Sequence, residues 1–173
     1  YNVEQGVTNN LFPNERESNC PVRGVEDKDN DIVKQANFMR LSAPPAPLEM
    51  SDSALHGKDI FNSVGCAACH VPTQTTYKGV QFSPYSDFAL HSMGDELEDG
   101  ILQGNAGPDE FRTAPLWGTS HRLFFLHDGR TKDLLQAILF HDSKGSQASK
   151  VIKQFKSLSV LDQQAVLDFL RSL

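Results

Sequence analysis

Cysteine is scarce in this chain, three in 173 residues. Structural zinc needs four closed ligands, and Cys20 stands far upstream of Cys66 and Cys69 with no CxxC or His-x-His neighbourhood, which argues against a zinc site. Long apolar runs are missing. None approaches the roughly 20 residues that span a bilayer, and no signal-peptide pattern is present. Positive charge is in deficit: 16 basic residues against 22 acidic ones leave a net charge of −6, which argues against nucleic acid and anionic membranes as partners. Runs of strand periodicity are also lacking, and with them the βαβ context of a thioredoxin-like redox pair. There is no internal repeat. The expected class is mainly α with long loops. An initiating methionine is absent too, since the chain begins at Tyr1, and we expect a processed or excised piece of a longer protein.

What is present is concentrated at residues 66–70, Cys-Ala-Ala-Cys-His. Two residues between the cysteines put both sulfurs on one short turn, within reach of the two vinyl groups of a haem. The histidine that follows lies beneath the iron. This is the five-residue signature of covalent haem attachment. It predicts haem c, bound through Cys66 and Cys69 with His70 as axial ligand, and a periplasmic or otherwise exported location, because bacterial haem attachment takes place outside the cytoplasmic membrane.

The chain divides into an arm and a domain. Residues 1–50 read as a linker, rich in Asn, Asp, Glu, Pro and Gly, with a short helix from Asp31 to Leu41 whose more apolar face is Ile32, Ala36 and Met39. The run Ala43-Pro44-Pro45-Ala46-Pro47 stops that helix and makes a stiff connector. Residues 51–173 read as the haem domain. Ser51, Asp52 or Ser53 caps a helix whose stripe is Leu55, Ile60, Phe61 and Val64, ending at Gly65. One or two helical turns are expected over 95–103, with Asp95, Glu96, Glu98 and Asp99 as a solvated acidic face. Further helices are expected from Thr131 to His141, from Ser146 to Lys156, and from Ser159 to the end, where Ser159 and Asp162 form a short capping box.

One axial position belongs to His70, and the identity of the other decides between electron transfer and small-molecule chemistry. Met39, Met50, His56, His91, Met93, His121, His127 and His141 are the candidates. His56 lies too close to Cys66 on the same helix. His91 and Met93 flank Ser92 on a loop suited to carrying a ligand. His121 sits in a polar run and His127 in a turn. His141 falls in line with Leu134 and Ile138, on a face that looks inward.

The segments GKDIFNSVGCAACHVP (57–72), YSDFALHSMGDELEDG (85–100), FRTAPLWG (111–118), FLHDGR (125–130) and QAILFH (136–141) together resemble the C-terminal haem domain of di-haem cytochrome c peroxidase-like proteins, in their di-haem or thiol oxidoreductase branch. The resemblance runs from about residue 31 to the C-terminus. It implies a cytochrome c-like haem domain with an extended N-terminal arm. In those peroxidases a methionine ligand occupies the position matching His141, so histidine here implies a bis-histidine haem of lower potential. The relatives carry two haems and this chain one CxxCH, so the resemblance implies a partner haem domain upstream, with residues 1–50 as its tail. Calcium, found at the domain interface of those relatives, has no recognisable ligand loop here.

Around the haem, Arg112, and after it Arg122 or Arg130, is the expected propionate partner. The carbonyl near Pro115 is the expected acceptor for His70 Nδ1–H. Leu116, Trp117 and Phe125 are expected to wall the pocket. Lys150, Lys153 and Lys156 against the acidic 95–99 segment form a charge asymmetry that would orient a small redox protein or the sister domain. The expectation is a one-haem electron-transfer domain. The alternatives are turnover of peroxide or a thiol at this haem after a weak ligand leaves, and a redox-inert module that docks the upstream domain.

Overall fold

In the computed structural model, which describes residues 7–14 and 24–173, regular structure is carried mostly by five α-helices. These are α1 (Asp31–Leu41), α2 (Asp52–Ser63), α3 (Leu134–Leu139), α4 (Ser149–Lys156) and α5 (Val160–Ser172). Single 3-10 turns span Cys66–Ala68 and Thr119–His121. Two antiparallel ladders pair β1 (Gln74–Thr75) with β2 (Gln81–Phe82), and β3 (Leu90–Ser92) with β4 (Glu110–Arg112). Strands of two or three residues are too short to leave a period in the sequence. The class is mainly α with long loops. Cys20 lies outside the described residues.

The chain forms two compact units, Tyr1–Ala43 with Leu102–Asn105, and Pro44–Ile101 with Ala106–Leu173. In the first, Asp27 supplies the start of α1: its two carboxylate oxygens accept the N–H groups of Asp31 and Ile32 at 2.7 and 3.0 Å. A carboxylate at a helix N-terminus satisfies orphan donors and complements the dipole. The apolar face expected on α1 is not buried; no residue of this helix is.

The second unit is organised by α2 and α5. Ser51 Oγ accepts the Ala54 N–H at 3.2 Å to start α2. Ser159 Oγ accepts the Asp162 N–H at 3.1 Å to start α5, but the Asp162 carboxylate accepts from the Ser159 hydroxyl at 2.8 Å and not from its backbone N–H, so the cap forms without the reciprocal half of the expected box. Ala54, Ile60, Phe61 and Val64 face Ala165, Val166, Phe169 and Leu170 in one apolar cluster, with Tyr85, Leu134 and Phe155 added from the loops and smaller helices. Phe61, Tyr85 and Phe169 contact one another edge-on, with centroids 5.3–6.3 Å apart, the favoured geometry for aromatic quadrupoles. The helices approach so closely that a Cβ on Gly57 would overlap the Ala165 carbonyl. Just after the connector, Leu48 N–H donates to the Ser172 carbonyl at 2.8 Å, tying the approach to α2 to the end of α5.

Three expected helices are shorter than their patterns suggest. Over 95–103 there is a single turn after Gly94, because the Asp99 carboxylate accepts the Ile101 N–H at 2.8 Å and Gly100 then adopts φ 75°, which reverses the chain. The helix expected from Thr131 begins at Leu134. Thr131 bridges back to Phe125, and Asp133 caps instead, accepting from Leu135 N–H at 2.8 Å. The helix expected from Ser146 begins at Ser149, since the Ser146 hydroxyl is engaged locally, accepting from Ala148 N–H and donating to the His141 carbonyl at 2.6 Å.

Candidate functional site

The C-terminus of α2 delivers the Cys66 turn through Gly65, whose φ of 100° reverses the chain as glycine alone does cheaply. Cys66 packs against the apolar core, and burial pushes its thiol up to about 11. Cys69 is more open, and its Sγ lies 3.8 Å from His91 Nδ1. Both thiols are free. His70 follows, 6.3 Å from the ring of Phe61 between centroids.

His70 Nδ1–H donates to the Tyr85 carbonyl at 2.9 Å. The expected acceptor near Pro115 is otherwise occupied, because the Pro115 carbonyl accepts from Arg122 at 3.1 Å. A carbonyl can only accept, so His70 carries its proton on Nδ1 and leaves a lone pair on Nε2. Burial above all, with smaller contributions from His141 and His91, holds its pKa down at about 4 against the opposing hydrogen bond to Tyr85. The ring is neutral at physiological pH.

His141 reaches the same state by a different route. It lies past the end of α3, where its own N–H bonds to the Ile138 carbonyl instead of that of Ala137. Its side chain takes over, and Nδ1–H donates to the Ala137 carbonyl at 2.8 Å. The inward direction expected from a helical stripe therefore comes from the helix end. Burial lowers the pKa of this histidine as well. Both residues are partly buried. Each imidazole thus keeps its Nε2 lone pair free of the backbone, the state in which a histidine can ligate a metal.

A family model described as "Di-haem oxidoreductase, putative peroxidase" matches residues 6–173. The chain belongs to that family. No curated protein and no solved structure matches it. Haem is the cofactor the di-haem oxidoreductase family implies, and the donor set fits it: two thiols on one turn and two imidazoles with unprotonated Nε2.

The other candidates of this di-haem oxidoreductase chain are distributed as follows. His91 is held between Asp87, 2.8 Å from Nε2, and Gln147, 2.9 Å from Nδ1. Met93 is fixed through its backbone, its N–H donating to the Asp109 carbonyl and its carbonyl accepting from Ser143. Leu116 and Phe125 pack against the core, and Trp117 lies 6.3 Å from Phe82 between centroids. Arg112 lies over the Phe88 ring at 5.9 Å. Arg130 pairs with Asp128 and donates to the Glu96 carbonyl, both at 2.6 Å. His127 stacks on Phe111 at 4.3 Å and faces Asp99. His56 pairs with Asp162 at 2.9 Å, joining α2 to α5. The 95–99 segment thus exposes Asp95, Glu96 and Glu98, buries Leu97, and is tied to the 125–130 turn through Glu96 and Asp99. Tyr85, Asp87 and Gln147 were not among the residues expected from sequence. Only Asp87 carried a signal, its spacing of four from His91; the other two act through a backbone carbonyl and a contact across 56 residues.

Proposed function

We propose that this chain is a c-type cytochrome domain of a di-haem oxidoreductase, with a cytochrome c-like arrangement around one haem held by Cys66 and Cys69 and ligated by His70 and His141. The observation that carries this reading is the shared state of the two imidazoles, neutral, crowded by protein and with Nδ1 tied to a backbone carbonyl. When bound, haem would supply a one-electron couple whose potential two imidazoles hold lower than a histidine–methionine pair would.

The residues of the chain do the rest. The Tyr85 and Ala137 carbonyls orient the two rings and raise their basicity. The Phe61–Tyr85–Phe169 cluster excludes water behind His70. Bacterial haem attachment through cysteine thioethers takes place outside the cytoplasmic membrane, which supports a periplasmic or otherwise exported location for this chain. Among the described residues no helix is long and apolar enough to cross a membrane. The expected partners are a second haem domain of the same protein and a small redox protein that gives or takes electrons.

The test is the absorption spectrum of the ferric and ferrous haem protein and of its His141→Ala variant. Low-spin bands without an iron–methionine band in the red, lost on substitution, are the expected result. An unchanged variant spectrum would exclude His141. An iron–methionine band in the wild type would move the ligand to Met93, and cyanide binding to the resting ferric protein would favour turnover at this haem.

A further inference from the structure

Two cysteines three positions apart are held by different forces. Cys66 is oriented by apolar packing against the core. Cys69 is oriented by a polar clamp built from a distant loop. His91 Nδ1 stands 3.8 Å from Cys69 Sγ and 2.9 Å from Gln147 Oε1, while Nε2 stands 2.8 Å from Asp87 Oδ2. The Asp87 carboxylate can only accept, so Nε2 carries a proton, and Nδ1 faces both the Gln147 side-chain amide and the Cys69 sulfur. Hydrogen bonding to the Asp87 carboxylate raises the histidine's pKa accordingly.

The clamp is fixed at every corner. Asp87 N–H donates to the Cys69 carbonyl at 2.8 Å, and Gln147 N–H donates to the Ser92 carbonyl at 3.0 Å. His91 itself sits in the centre of β3, paired with Phe111. Thiol, imidazole and carboxylate lie within 4.8 Å of one another. The ring meets thiol and carboxylate through different nitrogens, however, which is the geometry of a clamp and not of a chelate.

We infer that His91, gripped by Asp87 and Gln147, is a positioning residue for the second thioether: it sets the direction of the Cys69 sulfur so that both cysteines, and not Cys66 alone, become attached to haem. This rests on the haem reading proposed above. In the addition, the S–H bond and the π bond of a vinyl group break, an S–C bond forms, and the hydrogen ends on the terminal vinyl carbon. No electrons are exchanged with an outside oxidant.

The experiment is to produce the full chain with bacterial haem-attachment machinery and to count thioethers by the mass of the proteolytic haem peptide, with the pyridine haemochrome band as a second readout. His91→Ala is expected to raise the ratio of chains attached through Cys66 alone by about tenfold, the scale of one charge-assisted hydrogen bond, with total covalent haem retained. His91→Gln, which keeps a side-chain N–H, should recover part of the second attachment, and Asp87→Asn should move the ratio in the same direction as His91→Ala. An unchanged ratio in His91→Ala overturns the inference. So does equal loss at both cysteines, which a merely structural role would give. If His91→Ala does not accumulate, Gln147→Leu reads the same ratio: a rise supports the clamp, and an unchanged ratio or equal loss at both cysteines overturns it. A wild-type chain without covalent haem overturns the haem reading itself, whereas doubly attached haem in every variant overturns only the clamp.

Discussion

The carbonyl of Tyr85 accepts the Nδ1–H of His70 at 2.9 Å, and Tyr85 itself is held at a φ of 50°. The left-handed backbone presents the carbonyl to the histidine while the side chain stays buried between Phe61 and Phe169. A β-branched residue tolerates that φ poorly. Tyr85→Val should therefore cost about 3 kcal/mol from strain and lost ring packing together, read as a fall in the denaturant midpoint. Tyr85→Phe keeps the ring and should cost under about 1 kcal/mol.

His141→Met offers a signed test of ligation. If His141 completes the iron coordination, methionine at that position should raise the midpoint potential and bring in an iron–methionine band. A potential equal to that of the wild type would place the sixth ligand elsewhere.

Gly57 is a packing constraint and not a flexible joint. A Cβ there would meet the Ala165 carbonyl, which is backbone and cannot rotate away. Gly57→Ala should destabilise by about 3 kcal/mol despite the better helix propensity of alanine. Adding Ala165→Gly should bring no rescue, because the obstacle is a main-chain oxygen. Denaturant unfolding of the three variants checks both statements.

Acid should loosen the α2–α5 contact. Hydrogen bonds from His56 and Ser159 hold the Asp162 carboxyl below its ordinary pKa, and those from Ser53 and Gln164 do the same for Asp168. A carboxyl depressed in the folded state contributes stability that is complete above its unfolded pKa of about 3.9. That contribution is lost as pH falls through the lower folded value. Stability should thus be flat in this respect above about pH 5 and decline below about pH 4. Asp168→Asn should flatten part of that decline in a series of unfolding curves. An identical slope in the variant would remove Asp168 from the account.

The CxxCH segment, the helix before it and the terminal helix were legible in the sequence because each is a local pattern. Cys66, Cys69 and His70 declare themselves by spacing, and Ser51 and Ser159 cap helices within three residues of themselves. The stripe expected on α2 holds at Ile60, Phe61 and Val64, whereas Leu55 is exposed and Ala54 takes the buried place, and α5 buries Ala165, Val166, Phe169 and Leu170. The mainly α class follows from the same periods.

Tertiary structure decided the rest, for reasons that no local pattern contains. Asp133 outcompetes Thr131 as a cap because Thr131 is engaged by Phe125, and the shortened α3 leaves the side chain of His141 to satisfy Ala137. Gln147 meets His91 across 56 residues of chain. The acceptor for His70 is a main-chain carbonyl, and every residue has one. Sequence by itself supplied the donors on which the proposed haem site rests, Cys66, Cys69, His70 and His141. Which lone pairs are free to use, and which side chains hold them in place, depended on long-range packing, because burial and a backbone carbonyl's direction are properties of the folded chain.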